Sequence, residues 1–179
     1  MAADLDLILP QLKAQVQQLL ARCGARGFEM RPNAGLRDPF EQAKLWRQSR
    51  SIEEIRAKVQ EFRNAGAGFL ADCIESVGPQ HGDPVTNAAP GYSWHQWGEA
   101  VDCFWLVDGK AEWSTTKKVG GFNAYKVYAD EAETLGLVAG GHWTSFKDWP
   151  HVQSRPDASP ARTLTVAQVN ASMKSRFAP

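Results

Sequence analysis

The sequence of 179 residues predicts an α+β fold, in which helices and short strands alternate along the chain. Two observations support this class. Several segments combine helix-capping residues with apolar residues at helical spacing, and three short apolar segments are typical of strands. The sequence contains no repeat and no low-complexity tract, so we expect a single domain over residues 1–179.

Helices dominate the predicted N-terminal half. Apolar residues recur at helical spacing over residues 10–23, and residues 27–36 are typical of a short strand with a turn. Two capping boxes follow, one formed by Asp38 and Glu41 and the other by Ser51 and Glu54. They predict a second helix that runs to about residue 48 and a third that starts after Ser51.

In the rest of the chain, predicted helices, loops and strands alternate. A short helix is expected over 69–76, and the glycine- and proline-rich segment 78–91 predicts a loop. Strands are predicted over 99–106 and 150–154, with a helix over about 122–135 between them. A last helix begins with the capping pair Thr165 and Gln168 and turns Val166, Val169 and Met173 inward.

Composition argues against two classes of protein. Lys plus Arg and Asp plus Glu number 20 each, so the sequence lacks the excess of cations that nucleic-acid binding requires. It also lacks an apolar run of the roughly 18 residues needed for a transmembrane helix. We therefore expect no nucleic-acid partner and no stable membrane insertion. We also expect a monomer.

Two further features bear on the cellular compartment. The N-terminus, M-A-A-D-L-D-L-I-L-P, is acidic and has a short apolar stretch, so we expect synthesis in the cytoplasm without a secretory signal. The three cysteines, Cys23, Cys73 and Cys103, are odd in number and scattered, which favours free thiols over disulfides.

The four histidines carry the strongest chemical signal. His95 lies in S-W-H-Q-W-G-E-A-V-D, which ends at Asp102, and His151 lies in D-W-P-H-V-Q. Two histidines and one carboxylate are a common ligand set of catalytic zinc, with a fourth position left for water. Gly98 permits a bend that lets His95 and Asp102 face one ion. The sequence therefore predicts one zinc ion per chain, bound by His95, Asp102 and His151.

Two more residues are candidates for the chemistry. Asp148 precedes His151 by three residues, and Pro150 helps to fix the turn between them, so Asp148 is the candidate general base. Arg37 is the candidate clamp for an oxyanion or a substrate carboxylate, because a guanidinium is always charged and binds oxygens in a fork.

Structural interpretations stand beside these assignments. His81 is more simply a surface residue or a core residue with satisfied hydrogen bonds, and the role of His142 could be limited to shaping the rim of a cleft. Arg37 could form a surface ion pair, and Asp148 could cap a turn. Cys103 is expected in the core, because neighbouring strand residues face opposite sides of a sheet.

Four motifs together resemble a known family. G-L-R-D-P-F-E-Q-A-K-L-W is followed by V-T-N-A-A-P-G-Y-S-W-H-Q-W-G-E-A-V-D, then by G-G-H-W and D-W-P-H-V-Q. Over about residues 10–155 the chain resembles the D-alanyl-D-alanine carboxypeptidases and the phage L-alanyl-D-glutamate endopeptidases. These are the VanY-like zinc peptidases, which share a core with the hedgehog signalling domain.

The resemblance implies a small antiparallel sheet with flanking helices. It implies that His95, Asp102 and His151 bind zinc and that Asp148 is the general base. It also implies that Arg37 and Ser93 contact the substrate or its transition state. The sequence departs from the family at His142, where the endopeptidases usually have aspartate, and at Val152, where an aromatic residue is common. Residues 56–78 look like an insertion, and about 160–179 form a C-terminal helical extension without a counterpart.

The resemblance further implies a peptidoglycan hydrolase. Aspartate as the base and the absence of a signal sequence favour the endopeptidase branch, and hence an endolysin of a phage or prophage. We expect it to cut the L-alanyl-D-glutamate bond of the stem peptide in the periplasm of a Gram-negative host, during host lysis. The alternatives are a D-alanyl-D-alanine carboxypeptidase and a non-catalytic, zinc-stabilised binding module.

Residues next to the motifs bear on the shape of the cleft. Trp94, Trp97 and Trp143 each line the cleft or pack in the core, and the sequence leaves both alternatives open. Lys147 and Arg155 are the cations beside the motifs, apart from Arg37. This small number favours a cleft open at both ends over a pocket for a terminal carboxylate.

Overall fold

The computed structural model describes residues 3–178, which form mixed helices and strands. The bounds of the elements are, in chain order, α1 (Pro10–Ala25), β1 (Met30–Ala34), α2 (Pro39–Arg47), α3 (Ile52–Asn64), α4 (Gly68–Ser76), β2 (Ala100–Val107), β3 (Lys110–Glu112), α5 (Ala124–Thr134), β4 (Val138–Ala139), β5 (His151–Gln153) and α6 (Val166–Phe177). Short 3-10 helices include Trp94–Trp97 and Gly140–His142.

Three helices begin at the capping boxes that the sequence predicts. The side chain of Asp38 accepts hydrogen bonds from the backbone N–H groups of Phe40 and Glu41, both at 2.7 Å. Ser51 and Thr165 cap α3 and α6 in the same reciprocal way. Each cap satisfies backbone donors that the first turn of a helix leaves without a partner, which fixes where the helix starts.

The strands form one antiparallel sheet in the order β1-β2-β5-β4, and β3 pairs with the far end of β2. The register of β2 and β5 places Asp102 opposite His151. The α+β class with a small antiparallel sheet is therefore confirmed. The strands β3 and β4, which have three and two residues, were not predicted.

The chain divides into two compact units. The first comprises the residues up to Leu36 together with Gly98–Pro156, and it contains the sheet with α1 and α5. Its core is built from apolar side chains of both helices and of the inward face of the sheet. Examples that are at most 1% exposed are Leu12, Val16, Leu19, Val101, Tyr128 and Val152.

The second unit comprises Arg37–Trp97 and the chain from Asp157 onward, with α2, α3, α4 and α6. Phe62, Leu70 and Ile74 are fully buried in its core. Val169 and Met173 of α6 are buried as predicted, and Val166 packs partly against them. A Cβ atom at Gly91, where φ is +82°, would lie 2.4 Å from Val169, so α6 packs directly on this glycine.

Several expectations about organisation stay predictions. They concern the single domain over residues 1–179, the core over about 10–155 and the insertion at 56–78, which corresponds to most of α3 and to α4. The segment 160–179 contains α6. The first two residues of the proposed leaderless N-terminus, and Pro179, lie outside the described residues. Within residues 3–178, no helix is both long and apolar enough to cross a membrane.

The three cysteines are free and buried. Burial raises the pKa of each thiol, Cys23, Cys73 and Cys103, to about 12. Because the thiolate is the reactive form, all three side chains are expected to be inert in the folded protein. The interior position of Cys103 on β2 agrees with its prediction as a core residue.

Thiol titration tests this description. At about pH 8, the native protein is expected to react with no aromatic disulfide reagent on the time scale of minutes, because its thiols are buried and protonated. The unreduced protein in denaturant is expected to release three equivalents, one for each cysteine. Release of a single equivalent would reveal a disulfide and contradict the assignment of free thiols.

Candidate metal centre

Asp102 and His151 meet across the pairing of β2 with β5. The register sets the two residues opposite each other, and Nδ1 of His151 lies 3.0 Å from Oδ1 of Asp102. His151 is buried, and Asp102 is partly exposed. Two potential ligand atoms therefore converge on one face of the sheet, held by backbone pairing and not by flexible loops.

His95 completes a group with these two residues. One ligand atom from each of His95, Asp102 and His151 lies within 4.8 Å of those of the other two. His95 lies in the 3-10 helix Trp94–Trp97, where its side chain is buried and its backbone N–H donates to Oγ of Ser93. Two imidazoles and a carboxylate are the donors of a catalytic zinc site, so the residues fit the predicted ion. Their role as ligands stays a prediction.

The charge on His151 is set by its surroundings. Burial disfavours the imidazolium, but the hydrogen bond and the charge of Asp102, with the charge of Asp148, outweigh it and raise the pKa of His151. A metal ion binds only the unprotonated nitrogen, so protons compete with the metal at this residue. Metal affinity should accordingly decrease as the pH falls.

Asp148 lies on the turn that leads into β5. Its backbone N–H donates to the carbonyl of Gly140 at 3.0 Å, and its own carbonyl accepts from the N–H of His151 at 3.1 Å. The carboxylate is half-buried and acts electrostatically on His151. The turn thus holds a carboxylate beside a candidate metal ligand, as the D-x-x-H spacing predicts.

Gly140 and Gly141 make this turn sterically feasible. A Cβ atom at Gly140 would lie 2.4 Å from the carbonyl oxygen of Asp148 and 3.1 Å from Cβ of His151. A Cβ atom at Gly141 would lie 2.4 Å from the ring of Trp149. Sequence reasoning assigned these glycines no role, although a glycine pair shortly before a catalytic motif is a signal of close backbone approach.

Replacement of Gly140 by alanine tests this packing. The new methyl group must displace the backbone of Asp148 and the base of the His151 side chain, so we expect activity to fall by about 10²-fold. The free energy of unfolding should decrease by about 1–3 kcal/mol, as for other overpacked sites. Turnover of peptidoglycan, the substrate that the motif resemblance implies, measures the first effect, and chemical denaturation measures the second.

Gly24→Ala is the matched control. Gly24 lies in α1, and a Cβ atom there would meet no atom within 4 Å. The activity of the Gly24→Ala variant should equal that of the wild type. Its free energy of unfolding should be equal or slightly greater, since alanine favours a helix. Equal activity of the Gly140→Ala and Gly24→Ala variants would show that the turn tolerates the methyl group.

Arg37 and Ser93 are connected by buried glutamines. Oε1 of Gln42 accepts hydrogen bonds from Nη1 of Arg37 and from Nε2 of Gln96, each at 2.9 Å. Oε1 of Gln96 accepts in turn from the backbone of Gly91 and Ser93. Both glutamines are fully buried, so this network fixes the segment that carries His95 relative to α2. The sequence analysis missed both glutamines. Contact of Arg37 and Ser93 with the substrate stays a prediction.

The tryptophans near the motifs have different roles. Trp94 and Trp97 donate through Nε1 to the carbonyls of Asp157 and Gly91, at 2.6 and 3.0 Å. Trp94 is buried, and Trp97 packs against the core of the second unit. The ring of Trp143 instead lies 5.3 Å from the ring of His151. Its other neighbour, Phe146, is 64% exposed. Of the three tryptophans, Trp143 is therefore the one that the described ring contacts place beside His151.

The remaining histidines have structural explanations. Nε2 and Nδ1 of His142 lie 3.1 and 2.7 Å from carboxylate oxygens of Asp130 and Glu133 in α5. The departure from the family pattern at this position therefore ties the 3-10 helix Gly140–His142 to α5. His81 is exposed in the loop after α4. Both observations agree with the simpler interpretations of these residues.

Comparisons with known proteins agree with the sequence motifs. A family model described as VanY, D-alanyl-D-alanine carboxypeptidase, matches residues 6–143, which include His95 and Asp102 but end before Asp148 and His151. The chain is 26% identical over 151 residues to the peptidoglycan L-alanyl-D-glutamate endopeptidase CwlK of Bacillus subtilis (strain 168), and the match covers 83% of this chain and 74% of CwlK.

Two solved structures are also similar. The L-Ala D-Glu endopeptidase ChiX of Serratia marcescens has 18% sequence identity and a TM-score of 0.42, with 83% of this chain and 81% of that chain covered. A mutant of the vancomycin-resistance D,D-pentapeptidase VanY, from a VanB-type cassette and in complex with Zn(II), has 19% identity and a TM-score of 0.46. It covers 82% of this chain and 71% of that chain.

Proposed function

Because the chain belongs to the VanY family of D-alanyl-D-alanine carboxypeptidases, a family of peptidoglycan hydrolases, we propose that it is a zinc-dependent endopeptidase of the peptidoglycan stem peptide. The observation that carries the proposal is the convergence of Asp102 and His151 across β2 and β5, with His95 in the same group and Asp148 on the adjoining turn.

The residues of the chain divide the chemistry among them. His95, Asp102 and His151 would hold one zinc ion, which supplies a Lewis acid and lowers the pKa of water to about 7. Asp148 would take the proton of the attacking water and pass it to the nitrogen of the leaving amine. Arg37 would hold a carbonyl or carboxylate oxygen of the substrate, with Ser93 as a further donor.

We assign the L-alanyl-D-glutamate bond as the substrate bond. An exopeptidase that releases D-alanine must hold a terminal carboxylate with a cation, whereas an endopeptidase needs an open cleft. Nζ of Lys147 donates to the carbonyl of Gly141, and Arg155 forms a fork with Glu99. Apart from Arg37, the two cations next to the motifs thus have partners within the fold. The aspartate in D-W-P-H and the name of the relative CwlK favour the same assignment.

Digestion of purified muropeptides tests the assignment. Zinc-loaded protein is expected to produce new N-terminal D-glutamate and to leave D-Ala–D-Ala ends intact, as read by mass spectrometry. Release of free D-alanine with an intact L-Ala–D-Glu bond would identify a D,D-carboxypeptidase instead. Stoichiometric zinc with no product from any muropeptide would identify a non-catalytic binding module.

The biological setting is part of the proposal. We infer an endolysin of a phage or prophage that is made in the host cytoplasm and acts on the wall in the periplasm. The motif resemblance to phage endopeptidases supports this setting. Expression inside a Gram-negative host should leave cells intact until the inner membrane is permeabilised, after which rapid lysis is expected. The proposed setting would be contradicted if permeabilised cells that express the wild type lyse as slowly as cells that express an Asp148→Ala control.

A further inference from the structure

Gln153 has no role in the sequence analysis, yet its side chain contacts His151 directly. The two residues lie two positions apart on β5, so they share one face of the sheet. Oε1 of Gln153 lies 3.0 Å from Nε2 of His151, and Nε2 of Gln153 donates to the carbonyl of Arg155 at 2.6 Å. Gln153 is only 1% exposed, so water does not compete for these bonds.

The contact with Arg155 decides which way the amide of Gln153 points. A backbone carbonyl can only accept a hydrogen bond, so the amide nitrogen must face Arg155 and the amide oxygen must face His151. An amide oxygen can only accept as well. Nε2 of His151 must therefore carry the proton of this hydrogen bond.

The proton on Nε2 determines what the other ring nitrogen can do. A neutral imidazole has one N–H group and one lone pair, so a proton on Nε2 leaves the lone pair on Nδ1. Nδ1 is the atom that lies 3.0 Å from Oδ1 of Asp102, on the side of the candidate metal ligands. A carboxylate oxygen also only accepts, so without metal a proton lies between Nδ1 and Oδ1 of Asp102. A metal ion that binds between these two atoms replaces that proton, whereas Nε2 keeps its own proton on Gln153. The geometry therefore makes Nδ1, beside a carboxylate oxygen, the nitrogen of His151 that is available to the metal.

We propose that Gln153 is a positioning residue that fixes the tautomer of His151, so that His151 binds zinc through Nδ1. This inference rests on the proposed zinc-dependent function. Gln153 acts through His151 and does not touch the substrate. Residues that hold the second nitrogen of a ligating histidine orient the ring and make it a better ligand.

A second set of contacts holds the carbonyl that orients Gln153. The guanidinium of Arg155 forms a fork on Glu99, with Nη2 at 3.0 Å from Oε1. The hydroxyl of Ser154 donates to Oε2 of Glu99 at 2.9 Å, and the N–H of Ser154 donates to the carbonyl of Glu99 at 3.0 Å. The end of β5 is thereby tied to the start of β2, which keeps the carbonyl of Arg155 in place.

Zinc affinity and histidine NMR test the proposal without an activity assay. Long-range ¹⁵N spectra of the zinc-loaded wild type should show His151 with a protonated Nε2 and a ligated Nδ1, with its signals assigned by their loss in His151→Ala. Gln153→Met keeps the length of the side chain but removes the acceptor, and it should weaken zinc binding by about 10- to 100-fold. Gln153→Glu keeps an acceptor oxygen and should bind zinc more tightly than Gln153→Met.

Gln15→Met is the matched control, because Nε2 of Gln15 donates to the carbonyl of Leu135 far from His151 in sequence. It should bind zinc as the wild type does. Wild-type spectra with Nε2 of His151 as the ligated atom would overturn the proposal, even if Gln153→Met fails to fold. So would wild-type zinc affinity in a folded Gln153→Met. Absence of zinc binding by the wild type would instead overturn the proposed function.

Discussion

His151→Ala is expected to lose stoichiometric zinc and all measurable hydrolysis of peptidoglycan. The substitution removes one of three predicted ligands and, with it, the 3.0 Å contact between Nδ1 of His151 and Oδ1 of Asp102. Because metal binding to the native state also stabilises the fold, added zinc should raise the melting temperature of the wild type but not of the variant. At a free zinc concentration of about 100 times Kd, the wild type gains about 2.7 kcal/mol. His95→Ala should behave in the same way.

His81→Ala provides the control for this experiment, since His81 is an exposed histidine outside the group of candidate ligands. Metal content by atomic spectroscopy should be one zinc per chain for the wild type and for His81→Ala. One zinc per chain in both His151→Ala and His95→Ala would refute the ligand assignment.

Asp148→Ala is expected to retain zinc and to lose turnover by about 10²–10⁴-fold, the usual contribution of a general base. The turn that carries Asp148 is held by backbone atoms, which bond to Gly140 and His151 and do not change in the variant. The fold and the positions of the ligands should therefore persist. Metal content, circular dichroism and kcat on purified muropeptides separate these effects.

An exposed carboxylate serves as the comparison for Asp148. Asp83 lies in the loop after α4, and Asp83→Ala should match the wild type in both zinc content and turnover. A folded Asp148→Ala protein that lacks zinc would make Asp148 a ligand. Full turnover in that variant would reduce it to a residue that caps the turn.

The helices could be predicted because their signals are local. Asp38, Ser51 and Thr165 each form a capping box with a residue three positions later, and each box is present in the structure. The strand β3 also has a local signal, which the sequence analysis missed: Asp108 and Gly109, both with positive φ, form a two-residue turn that pairs β3 with β2. The two-residue strand β4 has no such signal, and it exists through pairing with β5, which lies twelve positions further along the chain.

In the candidate site, too, some residues have a local sequence signal and others depend on tertiary contacts. His95, Asp102 and His151 are recognisable by residue type and spacing, since few other side chains could bind zinc in these motifs. The contacts that support them depend on tertiary structure. Gln42 bonds to Gln96 across 54 positions of sequence, and the role of Gly140 depends on where the backbone of Asp148 passes. No local pattern encodes such distances.

The pairing of Asp102 with His151 has a consequence for folding. β5 has only three residues, and a shift of one position against β2 would turn His151 to the opposite face of the sheet. A misaligned sheet would thus lack the ligand set as well as the correct packing. Under the proposed function, uptake of zinc acts as quality control, because only molecules with the correct strand alignment can capture the ion and become active.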